Sequence, residues 1–363
     1  MSRVFVQGAG AVSPAGWGRE ALMRAMQRGV PMPAQALSEP GFHVHPQARR
    51  VPAPGAPHVF ARHPRFRRAS PITHFAMAAC LEALGGISAT TALAGQRLGI
   101  VVAVHTGSIQ YSTRFFGEVL QNPATASPLL FPETVFNAPA SHIAAFLGGQ
   151  PMTCTLVGDE TALFQALAIG ANWLLQDQVD ICLVVGAEEA SLLVADALRR
   201  FSTTAVPAEG AGAVLLAKAS PGAAGVELAL VTAPRTYAGC ISRNAAALAM
   251  SRDLPPERPG ELLVDSRCGC PRRDRAESAA WAGWTGPRFS PRAILGQALC
   301  AGSAWQLVIA WDWLSRGEAA VANISLVGAN QQALATRLER VGPTPMPASL
   351  ESQTATPNPC PNL

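Results

Sequence analysis

Apolar residues in this chain fall into short unbroken runs more often than into alternation. Leu98–Val104 (LGIVVAV), Cys154–Val157, Ile181–Val185 and Val226–Val231 each read as a strand buried on both faces, the pattern of a parallel sheet covered by helices. Further strands are predicted at Arg3–Ala11, Glu209–Ala217, Leu262–Asp265 and Ala320–Val327. Between them lie stretches of helical length at Arg19–Gln27, Ser70–Leu84, Leu163–Leu175, Leu192–Arg200, Ile241–Met250, Ala276–Trp284 and Ala298–Leu314, plus a helix following Pro139. Residues 31–70, rich in proline, arginine and histidine and without periodicity, read as a long surface loop. Strands and helices alternate in two series, so the chain divides into similar halves at 1–219 and 224–340, with a proline-, serine- and threonine-rich tail at 341–363 expected to be disordered.

The most informative stretch is Thr153–Glu189: strand, sharp turn, helix, short loop, strand. Gly158 permits the turn, Asp159, Glu160 and Thr161 suit a helix N-terminus, and the apolar residues of the following helix cover almost every face, which predicts a buried helix. The helix N-terminus of such a βαβ unit points to whatever lies beyond the strand's carboxyl end, where an enzyme would place a nucleophile. This chain places Glu160 there.

Composition narrows the picture. With 49% hydrophobic and 14% charged residues, the chain suits a large α/β core, and a formal net charge of +4 is too small to point to nucleic acid. No apolar run reaches the roughly 18 residues of a membrane helix, and the N-terminus lacks a signal-peptide layout, so a cytoplasmic protein is expected. Cys80, Cys154, Cys182 and Cys300 sit in apolar runs as reduced core thiols do. No cofactor or metal is expected. Gly8-Ala9-Gly10 has Ser13 where a dinucleotide fingerprint needs its third glycine, His43 and His45 lack further ligands nearby, and Cys268-Gly269-Cys270 lacks a second pair. The arginines at 267, 272, 273 and 275 read first as a solvated basic loop, with an acidic carrier protein as the sharper alternative.

Five segments in order resemble the β-ketoacyl synthases of the thiolase fold: RVFVQGAGAVSPAGWG, FPETVFNAPASHIA, VDICLVVGAEEAS, EGAGAVLLA and VANISLVGAN. The resemblance implies a layered α/β/α/β/α architecture of two duplicated halves, and a dimer. It also implies a cysteine nucleophile at a helix N-terminus and two histidines from the second half that polarise a malonyl carboxylate and a thioester carbonyl. The chain departs at all three positions. Glu160 falls at the cysteine, Ser266 at the first histidine and Gln297 at the second, while Arg292 stands at the family's lysine and Gln306 at its acidic partner. Without alignment, His142 being the last histidine of the chain already leaves the second half without an imidazole.

No catalytic set is therefore expected intact. The favoured expectation is a non-catalytic ketosynthase homologue. It would act as a chain-length-factor-like partner of a complete ketosynthase in a heterodimer, in type II polyketide, aryl polyene or fatty-acid-like synthesis. A homodimer and an acyl carrier protein partner remain open, and neither nucleic acid nor membrane is expected as a partner. A divergent acyl-transferring, decarboxylating or condensing enzyme using Glu160 or another cysteine is the second reading, and a solitary scaffold the third.

Overall fold

The computed structural model describes residues 3–38, 43–85, 95–202, 204–219, 224–329 and 331–342. The segment around Ser220–Ala224 and the tail at 341–363 thus fall almost wholly outside the described residues.

In the first half, β1 (Arg3–Ser13) turns through β2 (Gly16–Trp17) into α1 (Arg19–Arg28). A two-residue ladder, β3 (Gln35–Ala36) with β4 (Gln47–Ala48), interrupts the loop before α2 (Pro71–Ala83). There follow β5 (Leu98–Val104), α3 (Ile109–Gln121), α4 (Ala138–Leu147), β6 (Met152–Val157), α5 (Ala162–Leu175), β7 (Ile181–Glu188), α6 (Leu192–Phe201) and β8 (Gly210–Ala219). The second half comprises β9 (Gly225–Val231), β10 (Arg235–Thr236), α7 (Cys240–Arg252), β11 (Leu262–Val264), α8 (Pro271–Ala280), β12 (Arg288–Phe289), α9 (Pro291–Leu295), α10 (Leu299–Ser315), β13 (Val321–Val327) and β14 (Gln332–Val341).

The main strands lie in the order β12-β11-β13-β14-β9-β1-β8-β7-β5-β6. Read outward from the centre, each half runs first, fifth, fourth, second and third strand. In each, the last three are mutually parallel and the first two antiparallel. The duplication expected from the sequence is thus explicit in the topology. The half-sheets join where Phe5 and Val6 pair with Glu227 and Val226. Helices α5 and α10, each linking the third and fourth strands of its half, pack against each other between the two half-sheets. Their apolar side chains form the largest core, including Phe164, Leu167, Trp305 and Ile309. Helix α2 covers the outer face of the first half-sheet and α7 that of the second, giving the layered α/β/α/β/α architecture.

Glycine sets the spacing of the middle layer. Gly186 of β7 and Gly212 of β8 are directly paired. A Cβ on the first would meet the Cys300 carbonyl oxygen at 2.3 Å, and one on the second the Ala304 Cβ at 2.7 Å. The bare backbone lets α10 press onto the sheet, and its first turn thereby reaches the turn between β6 and α5.

Several expectations are corrected. Helix α5 is not buried all round: Ala168 and Asn172 are exposed, because the face turned from α10 and the sheet is left open. Cys154 is half-buried, since β6 is an edge strand paired only with β5. The helix expected over Ala276–Trp284 starts earlier, at Pro271, whose ring suits the first helical position. In the 31–70 loop Phe60 and Phe66 are fully buried against α2 and α4, so part of it is core. Two elements escape the apolar-run criterion. Helix α3 has no buried residue, and β14 carries charged residues on its sheet positions.

Candidate functional site

The turn Gly158–Thr161 is held from several sides. Asp159 Oδ1 accepts from Thr161 N–H (2.9 Å) and Thr161 Oγ1 (2.5 Å), which fixes the turn before α5 begins. His105, at the carboxyl end of β5, places Nδ1 2.8 Å from the Gly158 carbonyl oxygen. From α10, Ser303 Oγ donates to the Glu160 carbonyl oxygen (2.8 Å) and Cys300 Sγ to that of Asp159 (3.2 Å). Burial and the neighbouring carboxylates of Glu188, Glu160 and Asp159 push the Cys300 thiol far up, so it stays protonated.

The Glu160 side chain is wholly buried and surrounded by donors from the second half. Arg292 Nη1 (3.2 Å), Arg273 Nη2 (3.3 Å) and the Gln297 amide all donate to Oε1, while Ala329 N–H donates to Oε2 (2.8 Å). Burial alone would raise this carboxyl's pKa. The charges of Arg292 and Arg273, helped by the N–H groups of Ala329 and Glu160 itself, outweigh it and hold the group below the ordinary carboxylate range. Glu160 is therefore a fixed anion with its acceptor sites engaged. It has no proton to give, and Oε1 is engaged by three donors and Oε2 by one.

Each donor is positioned by its own element. Arg292, with a side chain 1% exposed, lies on α9 against the bare Cα of Gly302 and donates through Nη2 to Ser303 Oγ (3.1 Å). Gln297 is pinned by its backbone: its N–H donates to the Val206 carbonyl oxygen (2.8 Å), and its carbonyl accepts from Ala208 N–H (2.9 Å). Ala329 sits on a loop anchored by Tyr237 Oη, which donates to the Gly328 carbonyl oxygen. Gly328 has no room for a side chain, since a Cβ would lie 2.4 Å from Asp159 Oδ2.

Of the positions singled out in the sequence, Glu160, Gln297 and Arg292 converge, and Ser266 does not join them by any hydrogen bond. Ser266 instead donates from Oγ (2.5 Å) and from N–H to Glu277, whose other oxygen accepts from Ser325 (2.6 Å). Burial and the nearby Asp265 push the Glu277 carboxyl up to about 7. Gln306 donates to the Val264 and Ser325 carbonyl oxygens rather than approaching Arg292. The arginine thus has its acid at position 160. The basic segment 267–275 is corrected in part, because Arg273 reaches Glu160 and Arg267 pairs with Asp265 (2.8 Å). Sequence reasoning missed His105 as a neighbour of the turn; its place directly after a parallel strand was the available signal. His142 is buried and hydrogen-bonded to Glu133 (2.8 Å), the setting of a structural imidazole. Among the described residues, no group of three or more His, Cys, Asp or Glu side chains could hold a metal, and no helix is long and apolar enough to cross a membrane.

The β-ketoacyl synthase N-terminal domain family matches residues 1–221. The chain belongs to the β-ketoacyl synthase family. No curated protein matches its sequence at a significant level. Solved structures match its fold at low identity. The ishigamide ketosynthase/chain length factor has 21% identity and a TM-score of 0.76, covering 94% of this chain and 100% of that one. A type II polyketide acyl carrier protein in complex with its ketosynthase has 17% identity and a TM-score of 0.76, covering 94% and 99%. A ketosynthase in complex with its chain length factor from Xenorhabdus doucetiae has 14% identity and a TM-score of 0.74, covering 94% and 98%. In this ketosynthase homologue, as in those structures, the fold is thiolase-like.

Proposed function

We propose that this protein is a catalytically degenerate ketosynthase homologue that serves as the chain-length-factor-like subunit of an active ketosynthase, in type II polyketide, aryl polyene or fatty-acid-like synthesis. The observation that carries this reading is the state of Glu160. The position expected to hold the nucleophile holds a carboxylate paired with two arginines and hydrogen-bonded at both oxygens. A thiolate attacks thioesters; a carboxylate in this condition does not. The second half contributes no imidazole. Arg292 and Gln297, which the resemblance places at the family's lysine and second histidine, donate to Glu160, as does the Ala329 N–H.

Partner recognition is supported by an uncovered apolar surface. Helix α3 has no buried residue, yet it carries Phe116 (63% exposed) and Leu120 (84% exposed). Phe115 packs on Phe131, and Leu129, Phe131 and Phe136 are exposed as well. Such a patch fits a protein interface. Two of the similar structures are ketosynthase/chain length factor assemblies and one holds an acyl carrier protein, which supplies the classes of partner.

Co-expression with a ketosynthase carrying intact Cys-His-His is the test. The expected outcome is a stable one-to-one complex, with no acyl transfer to this chain alone. Turnover by the isolated chain that disappears in Glu160→Ala would overturn the reading. One observation favours the alternative of a divergent acyl-transferring enzyme. Burial tends to raise the Cys270 thiol, but the N–H groups of Arg273 and Arg272 and the hydroxyls of Thr204 and Ser202 bring it below its ordinary pKa. Acylation of the isolated chain lost in Cys270→Ser would support that alternative.

A further inference from the structure

Four groups converge on Glu160, and three of them are held in place by bonds that do not involve its carboxylate. Arg292 is tied to Ser303 and packed on Gly302, Gln297 is fixed by two backbone hydrogen bonds, and Ala329 belongs to a loop held by Tyr237 and by the Gly328 N–H, which donates to the Gln332 carbonyl oxygen (2.9 Å). Arg292 and the Ala329 N–H are therefore preorganised and Gln297 is held at its backbone, so the cradle would stay in place if the carboxylate were removed. Two guanidiniums also face a single carboxylate, one of them almost wholly buried and the other, Arg273, 18% exposed on α8. Arg292 Nε, moreover, is buried beside Gly302 without a partner, so Glu160 does not use all of this guanidinium's donors.

We propose that Arg273, Arg292, Gln297 and the Ala329 N–H form a built carboxylate receptor whose resident ligand is the chain's own Glu160. The inference rests on the reading of Glu160 as an occupant and not a reactant, and it adds the ligand class. With Glu160 in place, the receptor is closed to the carboxylate of a malonyl-type extender. With the side chain cut back, it takes a free carboxylate of one or two carbons. Changing glutamate to alanine deletes a methylene and a carboxylate, and acetate restores a methyl and a carboxylate in the same space. Arg273, at the exposed side, marks the way in.

Thermal unfolding of the full chain at pH 7, in sodium chloride or sodium acetate of equal ionic strength, tests this. Glu160→Ala is expected to melt below the wild type in chloride and to recover in acetate, with formate acting more weakly. A dissociation constant of about 10 mM would shift its folding equilibrium roughly elevenfold at about 100 mM acetate. Wild type and Glu160→Gln, whose side chains fill the space, are expected to show no acetate-specific shift. Adding Arg292→Met to Glu160→Ala should abolish the recovery. Equal melting of Glu160→Ala in the two salts, or an equal acetate effect on all variants, would overturn the proposal. Should Glu160→Ala not accumulate folded, refolding yield from urea is the readout, and equal yields in acetate and chloride overturn it too. Complex formation with a ketosynthase is a separate measurement: its absence would sink the subunit assignment and leave the acetate result standing.

Discussion

The two halves repeat one plan, yet the turns that open their central helices are built on opposite principles. Before α5 the chain uses charge: Asp159 fixes the turn, and Glu160 is paired with two arginines across the middle layer. Before α10 it uses shape: Gly296 has φ +97, Gln297 and Ala298 are buried and uncharged, and Leu299 is held in the left-handed region at φ +42. The halves are complementary for this reason. Among the described residues, the second donates every hydrogen bond that reaches the first half's carboxylate from another residue. Duplication kept the scaffold and let one turn become a ligand and the other part of its receptor.

The sharpest way to break this complementarity is at Glu160. Replacement by alanine leaves the buried Arg292 without its counter-charge, a loss of about 3–5 kcal/mol for a buried pair broken from one side. Next in size is pH. Burial raises the carboxyls of Glu188 and Glu189 in the first half and Glu277 in the second to about 7 each. Because these groups hold protons more tightly in the folded state, stability is present at low pH and is lost as pH rises through 7. Melting temperature should climb as pH falls from 8 to 6, with about 1 kcal/mol from each carboxyl. Glu277→Gln should remove the second half's share and leave that of the first. Glu160 behaves oppositely: held below its ordinary value, it contributes across this range and is lost only in acid.

Gly186→Val tests the spacing that brings the turns together. Its Cβ would collide with a backbone oxygen of α10, costing about 1–3 kcal/mol. The same change should raise the exchange rate of amides in the 158–161 turn. The smallest effect belongs to Leu299→Asn, because asparagine tolerates a left-handed backbone and leucine does not. Calorimetry should find it neutral to slightly stabilising. A loss above about 1 kcal/mol would show that the side chain, not the strain, matters there.

Fold and duplication were legible in the chain because buried parallel strands announce themselves as apolar runs, and LGIVVAV was read to the residue. Helix α3 was not read, although Ile109, Phe115, Phe116, Val119 and Leu120 keep helical spacing: Phe116 and Leu120 are exposed and the others only half-buried, so no apolar run announces it as a core element does. Strand β14 was hidden because its charges break the apolar run. Arg337 lies in the sheet at 1% exposure because Glu261 (2.7 Å), distant in sequence, and Glu339 (2.6 Å), two positions on along the same strand face, neutralise it. At the site, Glu160 and Gln297 could be singled out because each stands where a reactive residue was expected. Arg273 could not be distinguished from its neighbours, since four arginines within nine positions look alike until α8 turns one of them inward.

The short pairing of Phe5 and Val6 with Val226 and Glu227 stitches the two half-sheets into a single piece of backbone. With the core shared by α5 and α10, that seam opposes a swing of the halves apart. Whatever reaches the buried anion must come past a loop or a helix end, and traffic there is governed by the few residues around Ala329 and Arg273.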